Sequence, residues 1–159
     1  MRLNSNEFLL MVSRYNKYYT RILTKIADEY NMSKIEIDVL LFLHNNPGFD
    51  TAKEICELRG LGKSHISKAV DLLCQKKYLE TVPDGLDKRI THLVIKSDAN
   101  DVIHKAKEAQ ENCFRKLLNG ISTEDLYTMK KVIAQISMNL SELNDSKAGE
   151  TLEGRNEEC

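Results

Sequence analysis

Proline and glycine, which interrupt regular structure, are scarce in this sequence. Only two prolines and seven glycines occur among its 159 residues. The long segments between them favour helices, because helices need uninterrupted stretches of chain. The length fits a single domain. The composition, 42% hydrophobic and 30% charged, excludes a disordered chain.

The sequence also lacks any apolar run near the roughly 20 residues that a membrane helix needs. Its first residues show neither the apolar region nor the small-residue cleavage site of a secretion signal. We therefore expect a cytoplasmic protein with no membrane partner. The four cysteines, Cys56, Cys74, Cys113 and Cys159, have no CxxC spacing, so reduced thiols are expected rather than a disulfide framework.

Motifs that carry catalytic chemistry are missing as well. The sequence has no phosphate-binding loop, no G-x-S-x-G and no H-E-x-x-H. Its four histidines do not show the converging ligand spacing of a metal site. We expect no catalytic residues, no metal, no cofactor and no enzymatic activity.

Charge is unevenly distributed, although the net charge is only −1. Between Arg59 and Lys96 eight basic residues outnumber four acidic ones, and from Glu142 onward six acidic residues outnumber two basic ones. The small net charge argues against a globally basic nucleic-acid coat protein. A local basic patch remains compatible with the central excess.

Hydrophobic spacing predicts a mainly α-helical chain. A helix over residues 5–30 is expected, longer than a compact small domain requires. Its start, Phe8–Val12, is apolar on all sides, which predicts burial from more than one direction. Capping boxes at Ser33–Glu36 and Thr51–Glu54 predict the starts of two shorter helices, which are expected to end near residues 45 and 60. The first of these helices has an inner face of Ile35, Val39, Leu40 and Leu43.

A β-hairpin is predicted after a further helix over residues 63–76. Two β-branched and aromatic runs, residues 78–82 and 90–95, flank a polar loop. Two more helices are expected after the hairpin. The first is stopped by Gly120, and the second is capped by Ser122 and frays after Asn144. One face of this last helix carries Leu126, Met129, Val132, Ile133, Ile136, Leu140 and Leu143.

The segment from Glu54 to Lys68 predicts a helix-turn-helix. Gly60 can supply a positive φ in the turn, and Gly62 can be the N-cap of the second helix. That helix is expected to turn Ile66, Val70 and Leu73 inward. Its outward residues are then Ser64, His65, Ser67, Lys68 and Asp71. Such a polar N-terminal face suits a helix that enters the major groove of DNA.

The hairpin carries Lys88 and Arg89 on its loop. A helix-turn-helix followed by a basic two-stranded wing predicts a winged helix. In this arrangement Arg89 can lie along the DNA backbone or in the minor groove, where narrow A·T tracts attract arginine.

With these elements and motifs, the sequence resembles the MarR family of bacterial transcriptional regulators over about residues 5–144. The order of elements agrees, and Asp87-Lys88-Arg89 is similar to the D-x-R wing motif of the family. The family's Val-Asp-x-Leu in the recognition helix matches Val70-Asp71-Leu72-Leu73. The resemblance implies a winged helix-turn-helix with long N- and C-terminal dimerisation helices.

The resemblance also implies site residues. The DNA-binding set is Lys63, Ser64, His65, Ser67, Lys68, Lys88 and Arg89. Asp87 is expected to hold the wing in shape. The sequence departs from the family after the wing, where Leu-Thr-x-x-Gly is replaced by Ile95-Lys96-Ser97-Asp98-Ala99. Ser97 or Asp98 is then expected to cap the following helix.

Members of the family form dimers by intertwining their first and last helices, which accounts for the length of the first helix. The organisation expected is residues 1–32 as an N-terminal dimerisation helix, 33–97 as the winged helix-turn-helix, 98–145 as C-terminal dimerisation helices and 146–159 as a polar tail. A two-fold homodimer implies a pseudo-palindromic double-stranded operator with half-sites about 10 bp apart. The function expected is a dimeric repressor that a small effector releases from DNA.

Arg14, Tyr15, Tyr18 and Tyr19 form a candidate effector pocket, since relatives bind small aromatic or amphipathic anions beside the dimer helices. Alternatively, these tyrosines only pack the dimer interface. Two other functions stay open. One is a winged helix used for protein–protein contact without DNA, and the other is a thiol or ligand sensor. For the sensor Cys113 is ambiguous, whereas Cys56 and Cys74 look like core residues. His92 is expected to be a half-buried packing residue.

Overall fold

The structure, a computed structural model, describes residues 4–153, with side chains up to residue 143. This part of the chain is mainly helical and contains one small β-hairpin, so the predicted fold class is confirmed. Its elements in chain order are α1 Ser5–Glu29, α2 Lys34–Asn45, α3 Ala52–Arg59, α4 Lys63–Gln75, β1 Leu79–Pro83, β2 Thr91–Ile95, a 3-10 turn Ser97–Ala99, α5 Asn100–Leu117 and α6 Thr123–Glu153. None of the described helices is long and apolar enough to cross a membrane.

Local capping interactions define where α2 and α3 begin. Ser33 Oγ accepts from Glu36 N at 3.3 Å, and Glu36 Oε2 accepts from Ser33 N at 2.7 Å. Thr51 and Glu54 make the same reciprocal pair at 3.3 and 2.9 Å. Both predicted capping boxes are therefore confirmed, and with them the positions of these helix starts.

The chain divides into two compact units, with the boundary between Leu117 and Leu118. In the first unit α2 is the central element, because it packs against α1, α4, α5 and β2. Every residue from Glu36 to Leu43 is buried. The predicted single inner face was therefore too narrow, since Ile37, Leu41 and Phe42 are also buried. A helix enclosed on all sides buries its whole circumference.

The hairpin pairs β1 with β2 in antiparallel register, from Leu79 opposite Ile95 to Pro83 opposite Thr91. The observed strands differ by about one residue from those predicted. The hairpin is also attached to the loop between α2 and α3. Thr51 forms an isolated bridge with His92, and Leu93 N donates to Asp50 O at 2.7 Å.

Two predicted details beyond the hairpin are wrong. Ser97 and Asp98 do not cap α5, because both lie inside a 3-10 turn that leads directly into it, and that turn has no side-chain cap. The predicted fraying after Asn144 is not observed, because α6 continues to Glu153. Extending an existing helix needs no new nucleus. The rest of the predicted tail, residues 154–159, lies outside the described residues.

The start of α1 is not buried in the single chain. Phe8 is 42% exposed, Leu9 64% and Met11 51%. The single chain does not provide the predicted burial of this segment, which therefore stays a prediction for the dimer. An apolar helix end in contact with water indicates a surface that another molecule covers.

Candidate nucleic-acid interface

The turn between α3 and α4 has the backbone that the sequence predicts. Gly60 ends α3 with φ 63° and ψ 27°, in the left-handed region that glycine adopts without steric cost. Gly62 is the N-cap of α4 with φ −63° and ψ 139°, and Ile66 N donates to its carbonyl at 3.2 Å. The two helices therefore form the predicted helix-turn-helix.

The two faces of α4 differ in polarity. Ile66, Val70 and Leu73 are buried, as predicted, and Ala69 joins them in the core. The remaining predicted residues of this helix are all exposed and lie on its N-terminal half: Lys63, Ser64, His65, Ser67 and Lys68. This face offers hydroxyl donors, an imidazole and two cations within two turns of helix, the groups that contact bases and phosphates.

The C-terminal end of α4 is fixed by a buried ion pair. Lys76, its C-cap, donates from Nζ to Glu36 Oε1 at 2.7 Å and to the Asn31 carbonyl at 2.9 Å. Glu36 is only 2% exposed. The pair thus joins the end of α4 to the start of α2 and to the turn between α1 and α2. The sequence analysis did not identify it, since its partners are 40 residues apart.

The charge state of Glu36 follows from these contacts. Burial by itself raises the pKa of a carboxyl group, but hydrogen bonds from Lys76 and Ser33 more than offset it, and the pKa of Glu36 lies below its usual value. A carboxylate with a lowered pKa stabilises the fold above its ordinary pKa. That contribution is lost as the pH falls through the lowered value.

The tip of the wing is shaped by Asp84. Its Oδ1 accepts from Leu86 N at 2.8 Å and from Asp87 N at 2.7 Å. These backbone hydrogen bonds, followed by one from His92, lower the pKa of Asp84 to about 2. Asp84 N also donates to Ile90 O at 3.0 Å, which closes the loop.

Asp87 contacts both the turn and the side chain of Arg89, and its Oδ1 accepts from Arg89 N at 3.0 Å. Arg89 Nε donates to Asp87 Oδ1 at 3.0 Å, and Nη2 donates to Oδ2 at 2.9 Å. This two-pronged contact raises the pKa of Arg89 and lowers that of Asp87. The Arg89 side chain is still 91% exposed, so the contact fixes its direction without removing it from water. Lys88, its neighbour on the loop, is exposed too.

His92 makes two polar contacts in addition to the packing that the sequence predicts. It is half-buried, as expected, but its Nδ1 lies 2.6 Å from Asp50 Oδ1 and its Nε2 lies 3.2 Å from Asp84 Oδ2. Asp50 belongs to the loop before α3 and Asp84 to the wing. The alternation along β2 could reveal the half-burial, but no local pattern reveals two carboxylate partners at such sequence distances.

The candidate effector residues separate into two groups. Arg14, Tyr15 and Tyr18 line a cavity of about 450 Å³ together with Glu7, Leu10, Met11 and Leu117. Tyr19 does not line it. Its ring stacks on Tyr15 with centroids 5.8 Å apart, and its hydroxyl accepts from Gln110 Nε2 at 2.9 Å. Burial is the main reason that the pKa of Tyr19 is raised to about 12.

The described thiols do not show the features of a reactive cysteine. Cys113 is buried and Cys56 and Cys74 are half-buried, all three unpaired. Burial raises the pKa of both Cys74 and Cys113, which disfavours the reactive thiolate. Cys159 lies outside the described residues. Within the part of the chain that is described, no three histidine, cysteine or carboxylate side chains converge as metal ligands.

A sequence model of the MarR family matches residues 30–90, the segment that contains the helix-turn-helix and most of the wing. No match is found among curated proteins. Many solved structures share the fold. The resemblance to the MarR family is therefore confirmed, and the chain has the fold of a MarR-family transcriptional regulator.

Three solved structures illustrate the match. A MarR transcriptional regulator from Methanosarcina mazei has 14% identity and a TM-score of 0.72, covering 86% of this chain and 99% of its own. A MarR protein from Peptoclostridium difficile has 18% identity and a TM-score of 0.72, with coverages of 88% and 91%. BpsR from Bordetella bronchiseptica has 12% identity and a TM-score of 0.63, with coverages of 82% and 98%. Identities this low establish the shared fold.

The Glu36–Lys76 pair gives the first testable prediction. Lys76→Met leaves a buried carboxylate without its charged partner, so the free energy of unfolding falls by about 1–3 kcal/mol. Urea denaturation at neutral pH measures it, with Lys77→Met, at the exposed neighbouring lysine, as the matched control. The difference from wild type should shrink as the pH falls through the lowered pKa of Glu36. Equal losses in the two variants would contradict the pairing.

Proposed function

We propose that the protein is a sequence-specific, double-stranded DNA-binding transcriptional regulator, acting as a homodimeric repressor. The observation that carries the proposal is the polarity of α4. Its polar and basic face is exposed, whereas its hydrophobic face packs in the core. The wing that follows it in the chain presents Lys88 and Arg89 to solvent. A transcriptional regulator needs access to genomic DNA, which agrees with the cytoplasmic location expected from the sequence. No catalytic step is part of this function.

In this proposal α4 is the recognition helix. Its N-terminal half enters the major groove, where Ser64, His65 and Ser67 reach base edges and Lys63 and Lys68 reach bases or phosphates. The free backbone N–H groups at the start of α4 add a phosphate site, since Gly62 provides no side-chain cap.

The wing supplies the second contact. Arg89 is directed by Asp87 but remains almost fully exposed, which leaves its outer N–H groups available to a phosphate or a minor-groove base edge. These local cations make binding compatible with a net charge of −1, because affinity depends on the charge at the contact surface.

Substitution of the proposed contacts tests the interface. On a duplex selected from a random-sequence library, Lys68→Ala and Arg89→Ala should each weaken binding roughly tenfold. Lys107→Ala, at an exposed lysine of α5, should bind like wild type. Fluorescence anisotropy at several salt concentrations separates base contacts, which change sequence preference, from phosphate contacts, which reduce the salt slope.

Two results would contradict DNA recognition by this face. One is wild-type binding that is equally weak on selected and scrambled duplexes. The other is unchanged binding by both variants when they are folded and dimeric. Either result favours the alternative, in which the winged helix contacts another protein.

The dimer proposal depends on two apolar surfaces, one in each compact unit. Phe8, Leu9 and Met11 are exposed at the start of α1. The α6 helix separately carries a stripe of half-buried and exposed apolar side chains at helical spacing: Leu126, Met129, Val132, Ile133, Ile136, Leu140 and Leu143. We propose a second copy as the partner, because each surface can pack against an apolar segment of another chain and a two-fold dimer offers two recognition helices to one duplex.

A charge placed within the α6 stripe should prevent this association. Ile133 is 51% exposed in the single chain, and Ile133→Asp should give a monomer where wild type has the mass of two chains. Ala134→Asp adds the same charge on the side of α6 that faces away from the stripe and should remain dimeric. Analytical ultracentrifugation measures both. Monomeric wild type, or a dimeric Ile133→Asp variant, would contradict the proposed interface.

We also propose that a small effector binds this protein. The cavity beside Arg14, Tyr15 and Tyr18 combines aromatic and apolar walls with a cation, although Glu7 also lines it. This lining suits an aromatic carboxylic acid, whose ring can pack on tyrosine and whose carboxylate can pair with arginine. BpsR, one of the similar structures, has DNA binding regulated by 6-hydroxynicotinic acid.

A binding titration with aromatic carboxylic acids, beginning with 6-hydroxynicotinic acid, tests the cavity. The proposal expects an acid that releases the selected duplex, and Arg14→Ala should weaken its binding about tenfold. Lys25→Ala is the control, since Lys25 lies on the same helix outside this cavity. Failure of every acid to bind, or equal binding by the Arg14 variant, would leave the tyrosines as packing residues.

A further inference from the structure

Residue His92 links two segments that are distant in sequence. Its imidazole lies between Asp50, in the loop before α3, and Asp84, at the tip of the wing, with N–O distances of 2.6 and 3.2 Å. The backbone reinforces the first link, because Thr51 bridges to His92 and Leu93 N donates to Asp50 O. The second link lies within the hairpin, where Asp84 N also donates to Ile90 O.

The Asp84 carboxylate uses its two oxygens for different partners. Oδ1 accepts the N–H groups of Leu86 and Asp87, which fixes the turn, and Oδ2 faces His92. Asp87 in turn holds the Arg89 side chain. A continuous series of hydrogen bonds thus extends from the loop before α3, through His92, to the cation of the wing.

We propose that His92 is a positioning residue of the DNA interface, which holds Arg89 in place by bridging Asp50 and Asp84. This inference rests on the proposed function, since it concerns the same interface. His92 need not touch DNA. It restricts the movement of the wing tip, so less conformational freedom is lost when Arg89 binds.

The complete bridge requires the doubly protonated ring. A neutral imidazole has one N–H donor, whereas an imidazolium has two and can donate to both carboxylates. Asp50 first and Asp84 second raise the pKa of His92 above its usual value. The other charged groups along the same groove are Lys53, Glu54 and Glu57 of α3 and Arg89 of the wing.

The direction of the pH dependence follows from that raised pKa. The bridge is complete below the ordinary pKa of histidine, and one of its two hydrogen bonds is lost as the pH rises through the raised value. DNA binding that depends on a fixed wing should therefore weaken over this interval. His65 is a second imidazole on the proposed DNA face of α4, so the test is made in a background without it.

The test measures the affinity for the selected duplex from about pH 6 to pH 9, a range that contains the ordinary pKa of histidine. All variants are made in a His65→Gln background. His92→Asn retains a donor directed to Asp50, His92→Gln retains one directed to Asp84, and neither titrates. Asp84→Asn keeps the acceptor for the turn but removes the charge facing His92. His104→Gln, at an exposed histidine of α5, is the matched control.

The His65→Gln parent and the His104 control should lose about tenfold in affinity as the pH rises, the size expected for one charge-assisted hydrogen bond. The two bridge variants, His92→Asn and His92→Gln, should bind as the parent does at high pH, with little change across the range. NMR titration of the His92 ring supplies an independent readout, because Asp84→Asn should lower the pKa of that ring.

Three results would overturn the inference. Bridge variants with the pH profile of the parent would show that His92 does not position the wing, even though the parent binds DNA. An unchanged His92 titration in Asp84→Asn would show that the two groups are not paired. Absence of specific DNA binding by wild type would reject the proposed function itself, and this inference with it.

Discussion

Burial of the central part of α2 on all sides is the constraint on which the geometry of the winged helix depends. All residues from Glu36 to Leu43 are enclosed, and α1, α4, α5 and β2 pack around them. A helix buried on every side can shift only if its neighbours shift with it, because protein interiors are close-packed. The α4 helix and the hairpin are therefore placed by the same rigid element.

The ends of the interface are held by charge. At the end of α4, Lys76 pairs with the buried Glu36, and at the wing Asp84 and Asp87 fix the loop and Arg89. The carboxyl groups of Glu36, Asp84 and Asp87 all have lowered pKa values, so they remain charged at neutral pH. Hydrophobic packing thus sets the position of each element, and a few charge-assisted hydrogen bonds fix the end of α4, the turn of the wing and the direction of Arg89.

Local sequence patterns predict the features that depend on neighbouring residues. The capping boxes at Ser33 and Thr51, the left-handed Gly60 and the buried side of α4 each follow from spacings of a few residues, and each is present. The entry to α5 was mispredicted because a 3-10 turn can replace a side-chain cap. The end of α6 was mispredicted because polar composition alone does not stop an established helix.

The features that could not be predicted depend on residues far apart in sequence. Glu36 and Lys76 are separated by 40 positions, and His92 and Asp50 by 42. Spacing rules describe one helix or one strand at a time, so they assign such residues to a surface or a core without naming their partners. Asp84 is a different case, because its turn contacts reach only two and three residues along the chain, and the turn chemistry of aspartate could have identified it.

The central claim is that one dimer binds DNA with two recognition helices and two wings, one of each from either chain. Hydroxyl-radical footprinting of the wild-type protein on a duplex selected from a random library tests it most directly. The account predicts two protected segments related by two-fold symmetry, with centres about one helical turn, roughly 10 bp, apart, and minor-groove protection beside each from the wing. Uniform cleavage, or a single protected segment without symmetry, would contradict it.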